Sequence, residues 1–232
     1  MTNYTFAETK GAKSAPLVFT FHGTGGSEQQ FHGFASELSP TSAVVSPRGD
    51  VSEMGALRYF RRTAEGVYDM DDLAQRTAAM AAFLTTQKNR LTPLATWAFG
   101  YSNGANILAS VAATHPNIVD RIALLHPLIP FTPPPQPGLK GRAVLITAGR
   151  RDPICPASQT QALADWLTTQ DAEVTLEWHN GGHEIHRVLE RRGGENRQKH
   201  RRNCFSDQHP CPECGRGSSS GWRSRSRICC RC

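Results

Sequence analysis

Three residues of complementary chemistry lie far apart in the chain, each close to glycine. Ser102 sits in Gly100-Tyr-Ser-Asn-Gly104, Asp152 in Gly149-Arg-Arg-Asp-Pro-Ile-Cys-Pro156, and His183 in Asn180-Gly-Gly-His-Glu-Ile185. A serine hydroxyl is a weak nucleophile until a base takes its proton, and the base needs a third group to orient it. Serine, histidine and aspartate supply those three roles. A serine forced onto a sharp strand-to-helix turn needs neighbours without Cβ atoms, which the two glycines of G-x-S-x-G provide. Five such residues also describe ordinary turns, so the weight of the match comes from what flanks it. A tetrahedral oxyanion would need donors as well, and His22-Gly-Thr-Gly-Gly26 offers a loop whose amides can turn toward the serine. The candidate donors are the backbone amides of Thr24 and of Asn103, the residue after the nucleophile. Phosphate binding is the weaker reading of that loop, because it lacks the Gly-Lys-Ser/Thr of a P-loop and the full G-x-G-x-x-G spacing.

The elements that must position these residues can be read from the apolar pattern. Ala15–Phe21 is a short β-rich run that stops at the glycine loop, as a buried parallel strand would. Ser27 is expected to cap a helix that turns Phe31, Phe34, Ala35 and Leu38 inward. Ser42–Ser46 is a second strand, halted at Pro47. Asp69–Arg90 reads as a long helix with Met70, Leu73, Ala74, Thr77, Met80, Ala81 and Leu84 on one face, and its acidic start suits the helix dipole. Ala95–Phe99 is the third strand, followed by Ser102 and a helix to about Thr114. Arg121–Leu125 and Arg142–Thr147 are further strands, separated by a proline-rich irregular connection over Pro127–Gly138. A helix over Pro156–Gln170 and a last strand over Glu173–Trp178 complete the body. This alternation predicts a single α/β domain over residues 1–186, with a mostly parallel sheet and helices on both faces. Ser102, Asp152 and His183 then all fall at C-terminal strand ends, where such sheets place their sites. Other histidines fit the base less well: His179 continues the last strand, His186 falls on a following helix, and His126 precedes the proline connection.

Four motifs, H-G-T-G-G, G-Y-S-N-G, G-R-R-D-P-I-C-P and G-G-H-E-I, together resemble the bacterial carboxylesterase/phospholipase family, similar to acyl-protein thioesterases. Ser46-Pro-Arg-Gly49, Tyr59-Phe-Arg-Arg62 and Gly66-Val-Tyr-Asp69 resemble it too, and the likeness covers about residues 3–186. It implies an α/β-hydrolase without a cap domain. The implied catalytic residues are Ser102, Asp152 and His183, acting on small carboxylic esters or thioesters without a cofactor or metal. The dienelactone hydrolases are close neighbours in fold, but their likeness comes with a cysteine nucleophile, and Ser102 argues against that family. The acyl chain, the physiological substrate and the oligomeric state are not legible.

The net charge of +6 belongs to the C-terminus. Through His186 the chain carries 14 Lys/Arg against 16 Asp/Glu, and from Arg187 onward 12 against 4. Six of the seven cysteines also lie between Cys204 and Cys232. With few apolar residues to bury, residues 187–232 are expected to be a disordered basic tail. Relatives of this type end in a helix that packs on the sheet, whereas Gly193-Gly194 and a Lys/Arg-rich run interrupt one here. The simplest account of the tail is an altered reading of the end of the gene. The competing account is a catalytically impaired hydrolase fold whose tail binds zinc or nucleic acid, through Cys211-x2-Cys214 and Cys229-x2-Cys232. Against it, the intervening residues are mostly Gly, Ser and Arg, with almost nothing to fill a core, and no nucleic-acid partner is expected for the body. No run reaches the ~18 apolar residues of a membrane helix, and Met1–Lys13 shows no secretory pattern, so a cytoplasmic protein without a membrane partner is expected. Removal of residues 194–232 should therefore leave ester hydrolysis intact and improve solubility. The check is activity, melting temperature and zinc content of full-length and shortened protein side by side; lost activity together with one tightly held zinc would show the tail to be a folded module.

Overall fold

The computed structural model describes residues 4–185, so the expectations for the tail and for His186 lie outside the described residues. In chain order the elements begin with β1 (Phe6–Thr9), β2 (Leu17–Phe21), α1 (His32–Leu38) and β3 (Ala43–Pro47). Four short strands follow, β4 (Val51–Glu53), β5 (Ala56–Arg58), β6 (Arg62–Ala64) and β7 (Val67–Tyr68), and then α2 (Met70–Leu91). The rest is β8 (Thr96–Tyr101), α3 (Asn103–Thr114), β9 (Arg121–Leu125), β10 (Ala143–Gly149), α4 (Ala157–Thr169) and β11 (Glu173–His179).

Seven strands form one sheet in the order β1-β3-β2-β8-β9-β10-β11, while β4-β5 and β6-β7 are separate two-stranded hairpins. All pairings in the large sheet are parallel except that of β1 with β3. Residues alternate between the two faces of a strand, and the core divides accordingly. Leu17, Phe19, Phe21, Ala98, Ile122, Leu124, Val144 and Ile146 join the main core with residues of α2, α3 and α4. Val18 and Val44 face the other side, with Ala35 of α1 and the partly buried Trp97 and Phe99. Both faces thus carry helices, as expected. On the α1 side Val18, Ala35, Leu38, Trp97 and Phe99 line a groove of about 490 Å³.

The long helix begins as its sequence predicts. Asp69 is the N-cap and its carboxylate accepts the Asp72 amide, satisfying one of the orphan donors of the first turn. Two details differ. The Ser27 hydroxyl accepts the Gln29 amide in a local turn, and α1 starts five residues later with Phe31 in the cap position and no side-chain cap. Helix α1 buries only Ala35, leaving Phe34 and Leu38 exposed, because its two turns cover little of that face. Met70 is likewise exposed at the mouth of α2.

Tyr59 pins the irregular segment between β3 and α2 to the sheet. It is fully buried, packs edge-on to Phe21 at 5.6 Å between ring centres, donates its hydroxyl to the Pro47 carbonyl at 2.8 Å and accepts the His22 amide at 3.1 Å. Tyr59→Phe keeps the ring but strands both backbone groups in the core. It should lower stability by about 1–3 kcal/mol, read as a shift in the denaturant midpoint with an unchanged slope.

Candidate active site

Strand β8 runs directly into α3 through Ser102, whose backbone is held at φ 52° and ψ −118°. A positive φ is costly for a residue with a Cβ, on the order of 1–3 kcal/mol, and such strain gathers at functional sites. The turn is set by close backbone contact. A Cβ on Gly104 would lie 2.4 Å from the His22 carbonyl oxygen and 2.6 Å from that of Phe21. Only glycine lets the start of α3 press onto the end of β2, bringing the His22–Gly26 loop beside Ser102. The Ser102 amide is itself anchored to the Leu125 carbonyl of β9 at 2.9 Å.

The three predicted residues meet. Ser102 Oγ lies 2.8 Å from His183 Nε2, and His183 Nδ1 lies 2.7 Å from Asp152 Oδ2. Asp152 follows β10, and its side chain is wholly buried. Its other oxygen, Oδ1, accepts the Ile154 amide at 2.8 Å and the Cys155 amide at 2.9 Å. Burial alone would raise the pKa of this carboxyl. The hydrogen bonds from Cys155, His126, His183 and Ile154 outweigh it and hold the group below the ordinary carboxylate value. The His183 loop is secured from β8, because the Tyr101 hydroxyl donates to the His183 carbonyl at 2.6 Å and the two rings lie 5.3 Å apart. A Cβ on Gly149 would meet the Gly182 carbonyl oxygen at 2.0 Å, so glycine there lets the loops bearing Asp152 and His183 touch through their backbones.

The two candidate oxyanion donors border the same cavity as Ser102 and His183, a cleft of about 280 Å³. Asn103 opens α3, and its side-chain oxygen accepts the Tyr59 amide at 2.8 Å. Its own amide points from a helix N-terminus, where backbone donors lack intrahelical acceptors. Thr24 is held by the buried Arg58, whose guanidinium donates to its hydroxyl at 3.0 Å. His22 braces the same loop: its Nδ1 bonds the Gly23 carbonyl at 2.7 Å and its Nε2 accepts the Gly49 amide at 2.9 Å. Burial lowers the His22 pKa, so it stays neutral. Arg58 and Arg62 bring two positive charges to the cleft, but Glu53 pairs with both, at 3.3 and 3.1 Å, and Glu65 pairs with Arg62 as well. Leu128, Ile154 and Tyr68 supply apolar wall.

One site residue is missed by the sequence reading. His126, at the end of β9, places its Nδ1 2.8 Å from the same Asp152 oxygen that His183 uses. The signal was available, since His126 satisfies the strand-end criterion that selects the other three. His126, Asp152 and His183 also bring possible metal-ligand atoms within 4.8 Å of one another. Those atoms are the ones that form the Asp–His hydrogen bonds, so an ion there would have to displace them.

The comparisons with known proteins bear on the fold and the family. The chain is 34% identical to MhqD of Bacillus subtilis (strain 168) over 174 residues, 73% of this chain and 86% of that protein. Among solved structures, Atu2452 of Agrobacterium tumefaciens str. C58, a protein of unknown function, is 45% identical with a TM-score of 0.77, covering 85% of this chain and 96% of that one. The Bacillus cereus carboxylesterase is 35% identical, also with a TM-score of 0.77, over 84% of this chain and 94% of its own. The dienelactone hydrolase family model matches residues 59–202. Ser102, which in the sequence weighs against that family, is therefore compatible with membership. The fold is that of the α/β-hydrolases, and the chain belongs to the dienelactone hydrolase family.

Proposed function

We propose that this hydrolase cleaves small carboxylic esters or thioesters through an acyl-enzyme on Ser102. Ser102 Oγ attacks the acyl carbon while His183 Nε2 takes its proton, and the Thr24 and Asn103 amides receive the oxyanion. The bond to the leaving alcohol or thiol then breaks, and His183 returns the proton to it. Water repeats the sequence on the acyl-enzyme, releasing the acid and restoring Ser102. Asp152 stays ionised throughout and holds His183 with its proton on Nδ1. No cofactor enters any step.

The observation that carries this reading is the unbroken pair of hydrogen bonds, 2.8 Å from serine to histidine and 2.7 Å from histidine to aspartate. Cys155 is the rival nucleophile, because it also borders the cleft. Burial, with Asp152 beside it, pushes its thiol far above the usual range, and its Sγ is engaged with the His126 carbonyl at 3.3 Å. A thiol in that setting supplies no thiolate at neutral pH. The paired charges of Arg58, Arg62, Glu53 and Glu65 favour an uncharged acyl group over an anionic one.

Ser102→Ala should lower hydrolysis of p-nitrophenyl acetate by about 10³-fold or more, because the three groups act as a unit, while circular dichroism stays unchanged. A fluorophosphonate should add one label, located on Ser102 by peptide mass. Labelling elsewhere, or most activity surviving in Ser102→Ala, would overturn the assignment.

A further inference from the structure

The hydrogen bonds on Asp152 continue beyond the triad. His126 Nε2 lies 3.1 Å from His179 Nε2, and His179 Nδ1 accepts the Gly181 amide at 3.1 Å. That amide fixes every proton in the chain. A backbone N–H can only donate, so His179 Nδ1 is bare and its proton sits on Nε2, facing His126. His126 Nε2 then accepts, its own proton sits on Nδ1, and Nδ1 donates to Asp152. Each link is buried: His126 is 1% exposed and His179 7%. Burial also lowers the His126 pKa, although its bond to Asp152 opposes that shift, which favours the neutral form this pattern needs.

His126 is held at some cost. Its backbone lies at φ 53°, the left-handed region, like that of Ser102. Its amide donates to the Thr147 carbonyl of β10 at 2.9 Å, and its carbonyl is engaged by Cys155. A residue with a Cβ occupies that region only when its surroundings over-determine it. Ordinary packing does not require an imidazole here, whereas a directed donor to Asp152 does.

We propose that His126, oriented by His179, is a positioning residue that saturates the Asp152 carboxylate with a second imidazole donor and so sets both its orientation and its pull on His183. The proposal rests on the reading of Ser102, His183 and Asp152 as a triad. Asp152 Oδ2 is shared between two N–H donors, and its negative charge is therefore divided between them. Without His126 the whole charge would face His183, stabilise its protonated form and move the acid limb of activity to higher pH. The other groups bearing on His126 are Tyr101, whose ring is 6.1 Å away, Cys155 and Glu184, and none of them replaces the donor.

The test uses the full chain with His126→Leu, His126→Asn, His179→Leu and His179→Gln. Leucine removes the donor, whereas the asparagine amide occupies the place of Nδ1 and tolerates a positive φ. For His126→Leu, kcat on p-nitrophenyl acetate should fall by about ten-fold or more with KM within about two-fold, as expected for lost transition-state orientation. Its acid limb should move to higher pH. His126→Asn should recover kcat to within about three-fold of the parent, and His179→Leu should lose less than His126→Leu. Glutamine at 179, keeping a donor near Nε2, should restore that smaller loss. Proton NMR adds a second reading: the spectrum of the unmodified protein should contain two low-field imidazole N–H resonances from the donors to Asp152, both displaced in Asp152→Asn. A single such resonance, equal losses in His126→Leu and His126→Asn, or an unmoved acid limb in His126→Leu would overturn the proposal. Those results leave Ser102 labelling untouched, so failure here is distinct from failure of the triad.

Discussion

A carboxylate taken wholly out of water must find a donor for each lone pair it presents, or the cost falls on the fold. Asp152 meets that demand with four donors from three parts of the chain: the amides of Ile154 and Cys155 just after β10, His183 from the loop after β11, and His126 from the end of β9. The three strands are consecutive neighbours in the sheet, with β10 between the other two. Their order therefore does more than bury Leu124 and Ile146. It aims two imidazoles at one oxygen, and the imidazole of His183 then reaches the serine.

The serine is presented from a fourth strand, β8, which pairs with β9. Positive φ values at Ser102 and His126, at the ends of these two neighbouring strands, are departures from relaxed backbone. They are tolerable because parallel pairing and the packing of α3 against β2 leave the chain no easier path. Strain and satisfaction are thus divided between the two sides of the site, with distorted turns for the serine and its distant partner and a relaxed, fully bonded turn for the aspartate.

Much of this was legible in the sequence because it is local. Arg121–Leu125 is a strand to the residue, and Asp69 caps α2 where the acidic cluster foretells it. Ser102, Asp152 and His183, the proposed triad, stand out because each lies in a glycine-bearing loop just after an apolar, strand-like run. Strand β1 and the hairpins β4-β5 and β6-β7 were not foreseen: each has four residues or fewer, too few to establish a period of two, and most are mixed in exposure. His126 escaped for a different reason. The sequence allows it to be weighed only as a base, whereas its meeting with Asp152 exists only once β9 lies beside β10. The exposed Phe34 and Leu38 mark the opposite limit, where helical spacing is present but the helix is too short to bury both.

The charge pairing around the cleft has a kinetic meaning. Arg58 and Arg62 would by themselves draw anions toward Ser102, but Glu53 and Glu65 close their field over a few ångströms. Long-range attraction raises encounter rates only when an uncompensated potential extends beyond the screening length of the salt. Pairing weakens the field that Arg58 and Arg62 send out from this mouth. For the proposed acyl substrates, encounter with this mouth would then depend more on fit to Leu128 and Ile154 than on a long-range field.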